Sequence, residues 1–184
     1  GHKGGPASDL EHWDRWIDVT TSEYALPENK LLVQKALREK TKGSKHAPPE
    51  GPMTEEADVP DETYIDAQRA SRAIEVLDDL AHREEEPFFL AVGFTKPHLP
   101  FVAPKKYWDL YDRESFSMPP NSGRPPRWPE DAAFPKANEM QRYVDYVGDG
   151  PKDFPESLNK RLLHGYAAAA SFVDANVGRV LNAL

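Results

Sequence analysis

The chain has no cysteine, which excludes disulfides, zinc–thiolate sites and a cysteine nucleophile within these residues. It has no apolar run approaching the roughly 18 residues that a membrane-spanning helix needs. Nor does any apolar stretch near residue 1 read as a signal peptide. A processed or truncated chain lacks one too, so the compartment stays open. Basic residues are in deficit, 23 Lys and Arg against 31 Asp and Glu, for a net charge of −8. A field of that sign repels nucleic acid and anionic membrane, and leaves an anionic ligand only a local cationic pocket.

What is abundant is proline, 18 of 184 residues, about twice the usual roughly 5%. The length suits one domain, and the composition predicts a folded but loop-rich one. Residues 1–27 show no sustained period, with Trp13, Trp16 and Ile17 as apolar anchors. Asn29 to Lys40 predicts a short helix with Leu31, Leu32, Ala36 and Leu37 on its apolar side. Thr41 to Pro60, polar and proline-rich, predicts a loop.

Asp61 to His82 predicts a longer amphipathic helix capped by Asp61 or Thr63. Ala67, Ala70, Ile74, Leu77 and Ala81 recur at helical spacing, widened by Ala73 and Leu80. Phe88 to Phe94 is apolar without alternation, the pattern of a strand buried on both faces in an α/β sheet. Helix followed by strand is half of a βαβ unit. Pro104 to Tyr111 predicts a short helix with proline in its first turn. Asp112 to Pro155 predicts mostly irregular chain, and Glu156 to Leu184 a long helix. That helix carries a stripe of Leu158, Leu162, Tyr166, Ala169, Val173, Val177, Val180 and Leu184. One core strand makes no sheet, so its neighbours are expected outside these residues.

The segment with chemistry is Thr95-Lys96-Pro97-His98-Leu99-Pro100-Phe101, directly after the expected strand. Ligands in α/β sheets sit beyond the carboxyl ends of strands. Proline biases Lys96 and Leu99 towards extended backbone, which predicts that Lys96 and His98 face one side together. An ammonium and an imidazole on stiff backbone form a receptor for a tetrahedral oxyanion. Taken alone, a lysine and a histidine in a proline-rich surface loop are more often two solvated side chains than a site.

The triplet does not stand alone. Pro87 to Phe94, Lys96 to Phe101 and Ala103 to Tyr111, with Val59-Pro60-Asp61 before them, form one series. Gly165 to Ala168 and Phe172 to Val180 follow in the same order. This series closely resembles the sulfatase family, in its iduronate-2-sulfatase-like branch. The resemblance implies an α/β fold, part of an alkaline-phosphatase-like sandwich with a large mixed sheet, here a portion rich in helix and loop. It implies that residues 1–184 are an internal portion of one sulfatase catalytic domain. The N-terminal nucleophile and metal segment and the C-terminal metal segment would then lie elsewhere.

The implied activity is hydrolysis of sulfate esters by a formylglycine, made from a cysteine or in some members a serine, beside a divalent cation, usually Ca2+. The 184-residue chain by itself is then expected to be inactive. The implied substrates are a sulfated carbohydrate or a small sulfate ester, and the rest of the sulfatase domain is the implied partner. The implied setting is extracytoplasmic: periplasmic, secreted or lysosomal. A phosphate or phosphonate ester hydrolase of the same superfamily, or a non-catalytic anion-binding relative, is the alternative.

By position, His98 is similar to the family histidine that contacts sulfate, and Lys96 to the lysine that often precedes it. Thr95 departs from relatives that have histidine there, which leaves substrate detail open. His2 is similar to a histidine that is a candidate proton donor to the leaving group; it reads equally as a residue left by cloning or a frayed terminus. Trp13-Asp14-Arg15-Trp16 reads as buried anchors rather than a sugar platform. Glu84-Glu85-Glu86 reads as a solvated turn, and His82 and His164 as ordinary helix residues.

Overall fold

The computed structural model describes residues 12–41, 51–83, 87–118, 120, 139–148 and 154–184. Helix α1 spans Pro27–Thr41, strand β1 Thr54–Ala57 and helix α2 Ile65–Ala81. Strand β2 spans Phe101–Pro104, the one-turn helix α3 Lys105–Trp108 and helix α4 Glu156–Leu181. Short 3-10 turns lie at Asp61–Thr63, Arg113–Ser115 and Met140–Arg142.

β1 and β2 pair in parallel, with Thr54 opposite Phe101 and Ala57 opposite Pro104. Parallel strands need a crossover, and α2 lies on the connection between them. The βαβ unit foreseen in the sequence therefore exists, but with different strands. Its first strand lies in the stretch read as a loop. Its second follows the Lys-Pro-His segment instead of preceding it. Phe88 to Phe94, expected as the buried strand, forms no strand, and Phe88 and Phe89 are 51% and 80% exposed. An apolar run becomes a core strand only when neighbours bond both its edges, and no described residue does so.

The helices correct the sequence reading in detail. α1 packs through Ala36 and Val33, while Leu31, Leu32 and Leu37 are exposed. α2 begins after an uncapped Tyr64, not at a capping Asp61 or Thr63. It buries Ala67, Ala70, Ala73, Val76 and Leu77, and Ala81 is exposed. α4 buries Gly165, Ala168, Ala169, Phe172 and Asn176; of the expected stripe Ala169 is buried and Leu158 and Leu162 are half-buried, while Tyr166 and Val177 face outward, as does Leu184 beyond the helix end. The buried face is turned by about one residue, roughly 100°.

Small residues explain that turn. A Cβ on Gly165 would stand 2.8 Å from the Trp108 ring and 3.0 Å from the Phe101 Cβ. Glycine there lets α4 close onto the start of β2 and onto α3. Phe172 then packs against the rings of Tyr64 and Tyr107, and with Val102, Trp108 and Ala168 it forms the main core. A second cluster of Met53, Tyr143 and Phe154 includes Leu99, Met140, Leu158 and Leu162 at its margin. It seats residues 139–148 beside the Lys-Pro-His turn. Among the described residues, no helix is long and apolar enough to cross a membrane.

Candidate functional site

Residues 95–100 make a tight turn between the irregular run 87–94 and β2. The His98 N–H bonds the Thr95 carbonyl at 3.0 Å, and the Lys96–Pro97 and Leu99–Pro100 peptides are cis. The Thr95–His98 hydrogen bond closes the backbone into a turn where the sequence predicts extended chain, so alternate side chains do not share a face. The structure does not bring the two candidate side chains together.

Lys96 points inward and is 6% exposed. Its Nζ donates to the carbonyls of Pro100 at 2.7 Å and His98 at 3.1 Å. Burial pushes its ammonium below the ordinary lysine value. The charges of Glu23 and Asp66 offset this in part, and that of Arg69 adds to it. His98 points outward. Its Nδ1 lies 2.7 Å from the Leu99 carbonyl; a carbonyl only accepts, so Nδ1 carries the proton there. That leaves Nε2 as the outward nitrogen, 3.5 Å from a Glu139 carboxylate oxygen. Nε2 is the atom placed to meet an anion or exchange a proton.

Asp66 was not singled out in the sequence, yet it holds the turn from beneath. Fully buried in the first turn of α2, it accepts the Thr95 N–H at 2.9 and 3.0 Å and the Lys96 N–H at 2.8 Å. Arg69 donates to the same carboxylate at 3.1 Å and also to the Thr95 hydroxyl. Aspartate at a helix start followed three residues later by arginine was the available signal.

His164, read as ordinary, is buried against Trp108. Its Nε2 donates to the Trp108 carbonyl at 2.8 Å, and Nδ1 accepts from Arg113 at 3.2 Å. It ties α4 to α3 and has no part in the turn. Trp16, expected as a buried anchor, is exposed; Trp13 meets Phe89 ring to ring at 5.9 Å. His2 and Glu84-Glu85-Glu86 lie outside the described residues.

Among the described residues, no three His, Asp or Glu side chains converge as metal ligands. The two fully buried acids are engaged otherwise. Asp66 holds the turn, and Glu55 accepts four donors from Ala25, Leu26, Asn29 and Tyr64. What the arrangement offers chemically is a half-exposed imidazole nitrogen, His98 Nε2, beside the Glu139 carboxylate.

A family model described as Sulfatase matches residues 14–184. The chain is 36% identical over 133 residues to iduronate 2-sulfatase of Mus musculus, a match covering 70% of this chain and 24% of that protein. It is 35% identical over 132 residues to iduronate 2-sulfatase of Homo sapiens, covering 69% and 24%. It is 29% identical over 132 residues to choline-sulfatase of Rhizobium meliloti (strain 1021), covering 70% and 24%. The chain thus spans about a quarter of the length of these curated relatives.

Proposed function

We propose, from the premise that this chain belongs to the sulfatase family, that the protein containing it hydrolyses sulfate esters and that His98 contacts the sulfuryl group. The helices and small parallel sheet fit an α/β portion of the alkaline-phosphatase-like fold. We assign residues 1–184 to one catalytic domain, and sulfated sugars are the proposed substrate class. The relatives named for iduronate and for choline sulfates mark two chemistries to test.

The observation that supports this reading most is the fixed tautomer of His98. With Nδ1 tied to the Leu99 carbonyl, Nε2 is presented outward from a held turn. In the protonated ring it donates a hydrogen bond to a sulfuryl oxygen; in the neutral ring it accepts a proton. The placement is set before the anion arrives, so little reorganisation is needed.

A formylglycine and a divalent cation, Ca2+ by the resemblance, would supply the nucleophile and polarise the ester. This chain offers no cysteine to convert, none of its serines is followed by the x-Pro-Ser-Arg of the family element, and the described residues hold no convergent metal ligands. Both groups are therefore proposed to come from other residues, and those described here serve anion recognition. By itself the 184-residue chain is expected to turn over no aryl sulfate with any added divalent cation. Measurable turnover would place the nucleophile within it.

The test of the reaction is to compare an aryl sulfate with an aryl phosphate on the full-length protein supplied with Ca2+. Preferential turnover of the sulfate is the expected result. Preference for the phosphate would move the protein to the phosphate or phosphonate ester hydrolases of the superfamily. Inertness towards both, with anion binding intact, would make it a non-catalytic relative.

A further inference from the structure

Resting on the reading that His98 meets the sulfuryl group, we propose that Asp66 and Lys96 are positioning residues that hold His98 in place, and that the Lys96 ammonium is not a sulfate ligand. The turn is gripped from two sides by opposite charges. On its N–H side the Asp66 carboxylate takes the backbone protons of Thr95 and Lys96. On its C=O side the Lys96 ammonium bonds the carbonyls of His98 and Pro100. His98 is thereby held at three points. Its N–H goes to Thr95, its carbonyl to Lys96, and its ring Nδ1 to Leu99.

A lysine that binds substrate keeps its donors turned towards the ligand. Lys96 has spent two of three on carbonyls within its own turn, and its residue is almost fully enclosed. Reaching out to an anion would break both bonds and release the segment that carries His98. The group that faces outward is the imidazole, while the ammonium is bound behind it. Displacing a catalytic group by about 1 Å costs on the order of 100-fold in rate, so loss of either clamp is expected to act at that scale.

A double-mutant cycle on the full-length protein tests this, with steady-state kinetics on an aryl sulfate for Lys96→Met, Asp66→Asn and His98→Ala, singly and in pairs with His98→Ala. Circular dichroism and Tm accompany each variant. Lys96→Met and Asp66→Asn are each expected to lower kcat/KM about 100-fold, yet by less than about threefold once His98 is already alanine. The Ki of inorganic sulfate is expected to change no more in Lys96→Met than in His98→Ala.

Equal losses from Lys96→Met in both backgrounds, with a raised Ki for sulfate, would make Lys96 a direct ligand and overturn the proposal. No loss from either clamp variant, while His98→Ala still costs activity, would overturn it and leave the sulfate-contacting role of His98 standing. A silent His98→Ala would reject that role itself, a separate failure. If Lys96→Met does not fold, the Asp66→Asn cycle decides by the same criterion.

Discussion

The Nε2 of His98 stands 3.5 Å from a carboxylate oxygen of Glu139, a residue on a different loop that the second core cluster seats alongside the turn through Leu99 and Met140. In the proposed role of His98, an incoming oxyanion would compete with that carboxylate for the same nitrogen. Glu139→Gln removes one negative charge from the approach and is expected to lower the Ki of inorganic sulfate about fivefold at low salt, with a smaller effect as salt is added. Inhibition assays on the full-length protein at two ionic strengths check this. An unchanged Ki at low salt would mean that Glu139 does not face the bound anion.

Glu55 sits on β1 but serves α1. Its carboxylate accepts the N–H groups of Ala25 and Leu26 at 2.6 and 3.1 Å, the Asn29 amide at 2.7 Å and the Tyr64 hydroxyl at 2.8 Å. Glu55→Gln sets an amide donor against this ring of donors in a fully buried place. The expected loss is about 2–4 kcal/mol, read as a lowered urea midpoint. A change near zero would show that the segment before α1 is not held through Glu55.

Gly165→Ala brings two opposing effects into one measurement. Alanine favours a helix interior by about 1 kcal/mol over glycine. The added methyl, however, meets Trp108, Phe101 and Thr54 within 3.2 Å, and overpacking costs about 1–3 kcal/mol. Backbone atoms behind the Phe101 contact yield little, so net destabilisation is expected. A raised Tm would mean that α4 can lift off β2 without loss.

Alkaline pH is expected to destabilise the fold through its buried phenols. Burial, before any neighbouring charge, raises the ionisation of Tyr24, Tyr64, Tyr107 and Tyr143 well above the ordinary value near 10. Above about pH 10 the unfolded chain loses those protons and the folded one keeps them. Stability therefore falls as pH rises, by up to about 1.4 kcal/mol per pH unit for each tyrosine. Lys96 acts in the opposite sense. Its folded value is depressed, so stability rises with pH from that value up to about 10.4, and then levels off. Beyond that the tyrosines act in the same direction as Lys105 and Lys160, which hydrogen bonds to Asp109 and to Glu114 raise. Urea midpoints between pH 8 and 11, followed with tyrosinate absorbance, should peak and then decline; a curve still rising at pH 11 would contradict the burial of these rings.

Much of the helical content was legible because it depends on local spacing. α2 and α4 lie close to where apolar periodicity put them, and glycine and proline marked the breaks around them. The buried face of α2 was legible too, with Ala67, Ala70, Ala73 and Leu77 inside as expected; the rotation of α4 about its axis was not. The face that α4 buries depends on Gly165 meeting Trp108 and Phe101, and that contact joins distant parts of the chain. Both strands were missed for a related reason. Thr54–Ala57 and Phe101–Pro104 are short and carry little pattern; each becomes a strand by pairing with the other.

Motif order was enough to give the family, and local spacing was enough to place the helices, since both are properties of the chain alone. Tertiary structure decided which way each side chain of Lys-Pro-His faces. A buried carboxylate from α2 and a tight turn draw the ammonium inward and leave the imidazole outside, because unpaired carbonyls and charges in the interior cost more than a solvated ring at the surface.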